Sequence, residues 1–178
     1  MSDPITLTEV PIAAAWNVQG DASRADFTDQ VARQLSIALP IVPNTTARSD
    51  TTTAFWLGPR SWLLVAELAG SPLAHFIERR NALNSAGGAL FDLSAARVAY
   101  RLAGDRATDV LATGCPLDLH PRAFRNGDCA QSVFGRVNLL LYKSSDAPTF
   151  VIMVARSLAL DVWQALGLSA TQHGYQPQ

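Results

Sequence analysis

The sequence has little of what a membrane span, a disulfide framework or a nucleic-acid-binding surface requires. None of its apolar runs approaches the ~18 residues that cross a bilayer. Two cysteines, Cys115 and Cys129, are too few for a disulfide framework. Basic and acidic residues nearly balance at 14 and 15, so no general charge attracts polyanions. Lys143 is the only lysine, which leaves few candidates for Schiff-base or phosphate-loop chemistry.

What is present indicates a folded protein of about one domain. Apolar residues make up 48% of the 178-residue chain and charged residues 16%, which excludes disorder. The N-terminal segment MSDPITLTEV has two acidic residues and no basic cluster before an apolar run. We therefore expect no signal peptide, a cytoplasmic location and reduced cysteines.

The two halves of the sequence show the same order of predicted strands and helices, with chain-breaking residues at matching places. Residues 12–20 (IAAAWNVQG) and 96–104 (ARVAYRLAG) each predict a strand that stops at Gly-Asp. Helices follow at about 25–39 and 106–113, each with an acidic residue available as N-cap, and Gly114 is the expected C′ residue of the second. Two strands then follow in each half, and these are predicted at 52–57, 62–68, 133–142 and 149–155.

A helix that begins at a serine closes each half. The first opens at Ser71-Pro72 and stops at Gly87-Gly88, and the second opens at Ser157 and ends at Gly167. Their predicted apolar faces are Leu73, Phe76, Ile77 and Leu83 in the first helix, and Ala159, Val162, Trp163 and Leu166 in the second.

This repeated order predicts an α+β fold of two ferredoxin-like β-α-β-β-α modules in pseudo-repeat. FDLS at 91–94 can supply a final strand to the first module. We expect a single domain over residues 1–178, with internal halves at about 10–95 and 96–168 and a frayed polar tail at 169–178.

The sequence lacks the common signatures of cofactor sites and hydrolases, which are GxGxxG after a strand, GxxxxGK[ST], GxSxG and HExxH. A zinc site could use Cys115, His120 and Cys129 with a carboxylate, but the spacing lacks short CxxC or HxxxH pairs. A nucleophilic site could pair Cys115 or a serine with His120 and Asp118. We predict no catalytic, cofactor-binding or metal-binding residue, because neither pattern is specific.

The alternative for the segment 115–121 is a purely structural role as a rigid connector. Pro116 and Pro121 fix the backbone there, while Asp118 and His120 can satisfy nearby backbone groups. The pattern favours this connector over the metal and nucleophile hypotheses.

Two tryptophans flank the turn LGPRS and suggest a protein contact. On two strands joined by this turn, one tryptophan can enter the core while the other stays near the surface, or both can pack inside. An exposed tryptophan beside Arg60 would be a contact anchor, because Trp and Arg are enriched at binding hot spots. The candidate partner interface is Trp56, Arg60, Trp62, Asp118, His120 and Arg122.

Five segments of the sequence match the motifs of one known family. They are FWLGPRSWLLV (55–65), FDLS followed by ARVAYRLAG (91–104), GCPLDLHPRAF (114–124), Gly127-Asp128-Cys129-Ala130, and Ala155-Arg156-Ser157 before a Trp-containing helix. Together they resemble, in the same order from about residue 35 to 167, the gamma subunit of heterotetrameric sarcosine oxidase. The turn reads Gly-Pro-Arg-Ser where that family typically has an acidic pair before the Trp, and Gln131-Ser132 replaces Thr-Arg. If the turn contacts a partner, the partner surface has adapted to this change.

The resemblance implies a non-catalytic gamma subunit that acts in assembly and stability. Its complex converts sarcosine, tetrahydrofolate and oxygen into glycine, 5,10-methylenetetrahydrofolate and hydrogen peroxide. The implied partners are the alpha, beta and delta subunits, with FAD, FMN and NAD on alpha and beta and zinc on delta. No cofactor is expected on this chain, and neither nucleic acid nor a membrane is an expected partner.

The same family is similar to the folate-binding region of the glycine-cleavage aminomethyltransferase. The doubled ferredoxin-like architecture of that region agrees with the repeat found above, although a shared fold does not carry function. A free-standing folate-binding protein is therefore the alternative, and a small hydrolase that uses Cys115 or a serine with His120 is a third hypothesis.

Overall fold

Two antiparallel sheets of five strands each organise the part of the chain that the structure, a computed structural model, describes, which is residues 3–67 and 75–175. One sheet belongs to a compact unit of Pro11–Ala95, here the central unit. The other belongs to a unit built from Met1–Val10 and Ala96–Gln178, here the terminal unit. The predicted mixed class of helices and strands is confirmed.

The elements in chain order are β1 (Thr6–Val10), β2 (Ala14–Gln19), α1 (Ala25–Leu35), β3 (Thr46–Arg48), β4 (Thr52–Gly58), β5 (Ser61–Ala66), α2 (Phe76–Ser85), β6 (Ala89–Asp92), β7 (Arg97–Ala103), α3 (Ala107–Ala112), β8 (Cys129–Phe134), β9 (Val137–Lys143), β10 (Thr149–Ala155) and α4 (Ala159–Thr171). None of the helices within the described ranges is long and apolar enough to span a bilayer.

The sheet of the central unit has the order β3-β4-β5-β2-β6. Helix α1 buries Phe27, Val31 and Leu35, whose spacing of four residues places them on one side of the helix. They pack with inward side chains of the sheet such as Val18 and Leu64, both with no exposed surface. The predicted strand at 12–20 is confirmed as β2, and FDLS contributes to β6, which pairs with β2.

Helix α1 ends four residues before the predicted boundary at 39. Ser36 adopts a left-handed conformation with φ 54°, and its N–H donates to the carbonyl oxygen of Ala32 at 3.0 Å. Beyond this cap Ile37 is still buried, at 5% exposed. Ile37, two residues after Leu35, is therefore a buried loop residue, and the apolar character of the sequence extends beyond the end of the helix.

The predicted acidic N-caps are wrong. Arg24 and Arg106 occupy the N-cap positions of α1 and α3, and neither makes a side-chain cap hydrogen bond. Asp21 instead accepts hydrogen bonds from the backbone N–H of Ser23 at 3.0 Å and from its hydroxyl at 2.7 Å. Both hydrogen bonds lower the pKa of Asp21, and the one from the Ser23 hydroxyl contributes most.

Helix α2 stops where the sequence predicts. Gly87 has φ +77° and donates to Asn84 O, while Gly88 donates to Leu83 O at 2.9 Å, which is the Schellman arrangement. Leu83 is buried, whereas Ile77, which we expected on the apolar face, is 57% exposed. The predicted start at Ser71-Pro72, with Leu73, lies outside the described residues.

The sheet of the terminal unit has the order β1-β7-β10-β9-β8. Strand β7 confirms the predicted strand at 96–104, and β10 the one at 149–155. The strand predicted at 133–142 is two strands, β8 and β9, which turn at Gly135-Arg136, where Gly135 has φ +61°. Strand β1, which pairs with β7, and the short strand β3 were not predicted.

The two glycines predicted to end helices of the terminal unit have different outcomes. Gly114 follows the C-cap residue Thr113 of α3 and so lies at the predicted C′ position, although its φ is not left-handed. A Cβ there would come within 3.1 Å of the Phe134 ring and of the backbone nitrogen of Gly135. It is a close-packing position. Gly167 does not end α4, which continues to Thr171 and buries Ala170 completely. The first residues of the expected frayed tail are therefore ordered helix.

Candidate functional site

The two tryptophans of the predicted interface, which lie on either side of the β4–β5 turn, differ in burial. Trp56 and Trp62 pair across the hairpin, but only Trp62 is fully within the core of the central unit, at 1% exposed. Its indole Nε1 donates to Pro40 O at 2.8 Å. Trp56 is half-buried against the same core, and Arg60 is exposed. Arg60 and part of Trp56 thus remain surface candidates at this turn, while the Trp62 side chain offers no surface to a partner.

The connector between α3 and β8 holds the other three candidates, Asp118, His120 and Arg122, all exposed. Asp118 Oδ1 accepts from the backbone N–H of His120 at 3.0 Å. His120 Nδ1 accepts from the backbone N–H of Arg122 at 3.2 Å, which places the proton of the neutral ring on Nε2. Leu119 and Phe124, at 4% and 6% exposed, anchor the segment in the core. These are the contacts that the sequence predicted for a rigid connector, in which Asp118 and His120 satisfy nearby backbone groups.

The two cysteines do not form the catalytic or metal arrangements considered from the sequence. Cys115 and Cys129 are both buried, and they form no disulfide. Cys115 Sγ lies 3.6 Å from the hydroxyl of Ser132, and the Nδ1 of His120 is occupied by a backbone donor. Across residues 3–67 and 75–175, no group of three or more His, Cys, Asp and Glu side chains is placed to hold a metal ion.

The only lysine is also a core residue. Lys143 is 3% exposed, and its Nζ lies 5.9 Å from the centroid of the Phe150 ring. This is the geometry of a cation–π contact. Its ammonium group is enclosed by the terminal unit and is not presented to a substrate.

The terminal unit has an apolar cavity beside α4 that the sequence did not predict. Its volume is about 430 Å³. Leu7 of β1 lies on one side, and Trp163, Gly167 and Leu168 of α4 lie on the other. Its apolar lining suits a hydrophobic side chain or ligand. It was missed because β1 was not recognised as a strand, so nothing placed Leu7 next to α4.

A second cavity, of about 400 Å³, is also lined by Trp163 and is more polar than the first. Glu9, Tyr100 and Arg156 line it together with Trp163. The Tyr100 and Trp163 rings are 5.0 Å apart, and the Tyr100 hydroxyl donates to Ala159 O at 2.9 Å. Burial and then the negative charge of Glu9 raise the pKa of Tyr100, and Arg156 partly opposes them.

Comparison with known proteins gives one consistent family. Residues 19–171 match the sequence profile described as the sarcosine oxidase, gamma subunit family. The sarcosine oxidase subunit gamma of Arthrobacter sp is 32% identical over 149 residues, which cover 83% of this chain and 71% of the relative. The corresponding protein of Corynebacterium sp. (strain P-1) is 28% identical over 149 residues, with the same coverage.

A solved structure has the same fold. It is the heterotetrameric sarcosine oxidase from Corynebacterium sp. U-96 in complex with pyrrole 2-carboxylate. One of its chains superposes with a TM-score of 0.86 at 24% identity, over 98% of this chain and 87% of that chain.

Proposed function

Because the chain belongs to the sarcosine oxidase gamma subunit family, we propose that it is the non-catalytic gamma subunit of a heterotetrameric oxidase, where it acts in assembly and stability. The observation that carries the proposal is the family match, which spans residues 19–171 and therefore both units. Its partners are the alpha, beta and delta subunits. We expect the complex in the cytoplasm.

The reaction of the proposed complex converts sarcosine, tetrahydrofolate and oxygen into glycine, 5,10-methylenetetrahydrofolate and hydrogen peroxide. FAD, FMN and NAD belong to the alpha and beta subunits in this proposal, and zinc to the delta subunit. The contacts of the polar residues on this chain support a structural role. Asp118 and His120 bond to the backbone of their own connector, and Cys115 is enclosed beside Ser132.

We also infer that the chain is a doubled ferredoxin-like fold within a single domain. The strand order of each unit supports this. In the central unit β2 lies between β5 and β6, and in the terminal unit β7 lies between β10 and β1. Strands β2 and β7, which precede the first helix of each unit, are therefore each flanked by the strand before the second helix and by an outer strand, as in the split β-α-β arrangement.

One observation favours a second candidate, a free-standing folate-binding protein. Such a site needs a carboxylate to meet the polar edge of the pterin and an aromatic wall. The cavity of about 400 Å³ in the terminal unit offers Glu9, Tyr100 and Trp163. Calorimetric titration of the chain with tetrahydrofolate tests this candidate, and absence of binding heat contradicts it.

Co-expression tests the main proposal. The alpha, beta and delta subunits are produced with and without this chain, and the assembled oxidase is quantified by size-exclusion chromatography with flavin absorbance. We expect omission to reduce the yield or thermal half-life of the assembly at least tenfold. The peroxide formed per bound flavin in the remaining complex should change little. Full assembly, stability and activity without the chain would reject the proposed role.

A further inference from the structure

The cavity of about 400 Å³ in the terminal unit combines charges of both signs with an aromatic wall. Glu9 of β1 and Arg156, which precedes α4, line it together with Trp163. Glu9 and Arg156, both of which the structure describes, form no ion pair with each other. Two opposite charges that line one cavity without pairing can each hold the complementary charge of a single ligand. We call this the Glu9–Arg156 cavity.

Strand pairing fixes Glu9 beside Tyr100. The two residues are directly opposite each other in the β1–β7 ladder, so their side chains lie on the same side of the sheet. That side carries the core, to which Tyr100 belongs. Within residues 3–67 and 75–175 the Glu9 carboxylate accepts no hydrogen bond and joins no ion pair. A carboxylate in this position suits an ammonium group, because charge-assisted hydrogen bonds are the strong ones.

Arg156 lies where the chain passes from β10 into α4. Its Nη2 donates to Arg97 O at 3.2 Å, which ties the side chain to the first residue of β7. A guanidinium has five N–H donors in a planar fork, so one that holds a backbone carbonyl can also bind a carboxylate. Both charges of the cavity act at Tyr100: burial is the largest cause of its raised pKa, Glu9 adds to the rise and Arg156 opposes it.

The rest of the cavity is apolar and has room for a side chain. Val98 and Leu160 line it beside Trp163. The ring centroids of Tyr100 and Trp163 lie 5.0 Å apart with the planes inclined at 50°. Aromatic rings favour neighbours at about 4.5–7 Å, so the ring of a ligand can extend this pair. Mostly apolar walls with a few charged groups, at this volume, are typical of small-molecule sites.

We propose that the Glu9–Arg156 cavity binds a free α-amino acid with an apolar side chain, represented by L-phenylalanine. Glu9 holds the ammonium group, Arg156 holds the carboxylate, and the side chain packs against Trp163. The inference goes beyond the proposed function and does not depend on it, because it concerns a ligand of this chain and not its assembly with other subunits.

Calorimetric titration of the full-length chain with three related compounds tests the inference. L-phenylalanine has both charged groups, phenethylamine lacks the carboxylate, and 3-phenylpropionate lacks the ammonium group. We expect L-phenylalanine to bind with a Kd below about 1 mM. It should bind at least about tenfold more tightly than either analogue, because each analogue loses one charged contact.

Two substitutions should change the three affinities in opposite patterns. Glu9→Gln should weaken L-phenylalanine and phenethylamine about tenfold and leave 3-phenylpropionate unchanged or tighter. Arg156→Gln should weaken L-phenylalanine and 3-phenylpropionate about tenfold and leave phenethylamine unchanged or tighter. Arg156→Gln also loses the bond to Arg97 O, so retained phenethylamine binding and the thermal midpoint together show that the cavity is intact.

Matched control variants make the same changes outside the cavity. Asp161→Asn removes an exposed carboxylate of α4, and Arg101→Gln removes an exposed guanidinium of β7. Neither residue lines the cavity. Both variants should bind L-phenylalanine as the unsubstituted chain does, which excludes a general effect of net charge.

Three outcomes overturn the inference. The first is no binding of L-phenylalanine, or equal affinities for the three compounds. The second is L-phenylalanine binding that either Glu9→Gln or Arg156→Gln leaves unchanged, which places the ligand elsewhere. The third is tetrahydrofolate that displaces L-phenylalanine and loses its own binding in Glu9→Gln, which assigns the cavity to a pterin. The co-expression experiment does not use these ligands, so failure of this inference and failure of the main proposed function are distinguishable.

Discussion

Trp62 on β5 donates a 2.8 Å hydrogen bond from its indole Nε1 to the carbonyl oxygen of Pro40, 22 residues earlier in the chain. Both residues are buried, and the Trp62 ring lies 6.3 Å from that of Phe27 on α1. The bond satisfies an acceptor in the loop between α1 and β3 that water does not reach. It therefore fixes this loop to the sheet and helps hold α1 on the core of the central unit.

The change Trp62→Phe should lower the free energy of unfolding. Phenylalanine keeps an aromatic ring but removes the donor, so the Pro40 carbonyl is left buried without its partner. We expect a loss of about 2–4 kcal/mol from the unsatisfied acceptor and the smaller side chain. Urea unfolding followed by circular dichroism measures it.

Trp163→Phe is the matched control for this prediction. Trp163 is half-buried and contacts Tyr100 ring to ring, a contact that phenylalanine can retain. We expect it to cost under about 1.5 kcal/mol. Equal losses for the two variants would contradict the role assigned to the Trp62–Pro40 bond.

Gly20→Ala should destabilise the protein because Phe27 occupies the space that a side chain would need. A Cβ at Gly20 would overlap the Phe27 ring, which is fully buried and cannot move away easily. We expect about 1–3 kcal/mol of destabilisation from this overpacking. Gly58→Ala, where a Cβ meets nothing within 4 Å, should change the free energy of unfolding by less than about 0.5 kcal/mol. A thermal melt that ranks the two variants in the opposite order would refute the steric argument.

Chain-breaking residues in the sequence predicted β2, β7 and the end of α2 well, because these signals are local. The strands β2 and β7 both end at Gly-Asp, and the stop of α2 follows from Gly87, which takes the positive φ that ends a helix. By contrast, β1 and β3 have short, partly exposed patterns, and they are strands only because a longer neighbour pairs with them. Such tertiary pairing leaves little trace in the sequence.

The candidate site was harder to predict than the fold. Residue type alone made both Trp56 and Trp62 plausible contact residues, but burial separates them, since the Trp62 indole is used by Pro40. The last turn of α4, which begins with Leu168, was missed because Gly167 indicated the end of a helix. A glycine inside a helix and a glycine that ends one look alike in a single sequence, and only the continued burial at Ala170 distinguishes them.

Gly104→Ala should detach the N-terminal strand from the sheet of the terminal unit. Gly104 has φ +117°, which side chains rarely adopt, and a Cβ there would overlap the backbone of Pro4 just before β1. We expect a loss of at least about 2 kcal/mol, because strain in the backbone adds to the overlap. Amide hydrogen exchange should show lost protection in residues 6–10.

Gly135→Ala is the control, since Gly135 also has a positive φ, of +61°, but a Cβ there would meet no atom within 4 Å. Unchanged protection of β1 in Gly104→Ala would contradict the close approach.

Tyr100 should make the stability of the protein fall at high pH. Burial and then the charge of Glu9 raise the pKa of Tyr100 above its usual value of 10.0, so the neutral phenol is favoured in the folded state. A raised folded-state pKa gives a stabilisation that is complete below pH 10 and is lost as the pH rises through the folded-state value. The free energy of unfolding should therefore decrease above about pH 10 more steeply in the wild type than in Tyr100→Phe. At pH 7 the same variant should cost about 1 kcal/mol, because it loses the hydrogen bond to Ala159 O. Equal slopes for the wild type and Tyr100→Phe would show that this phenol does not titrate with folding.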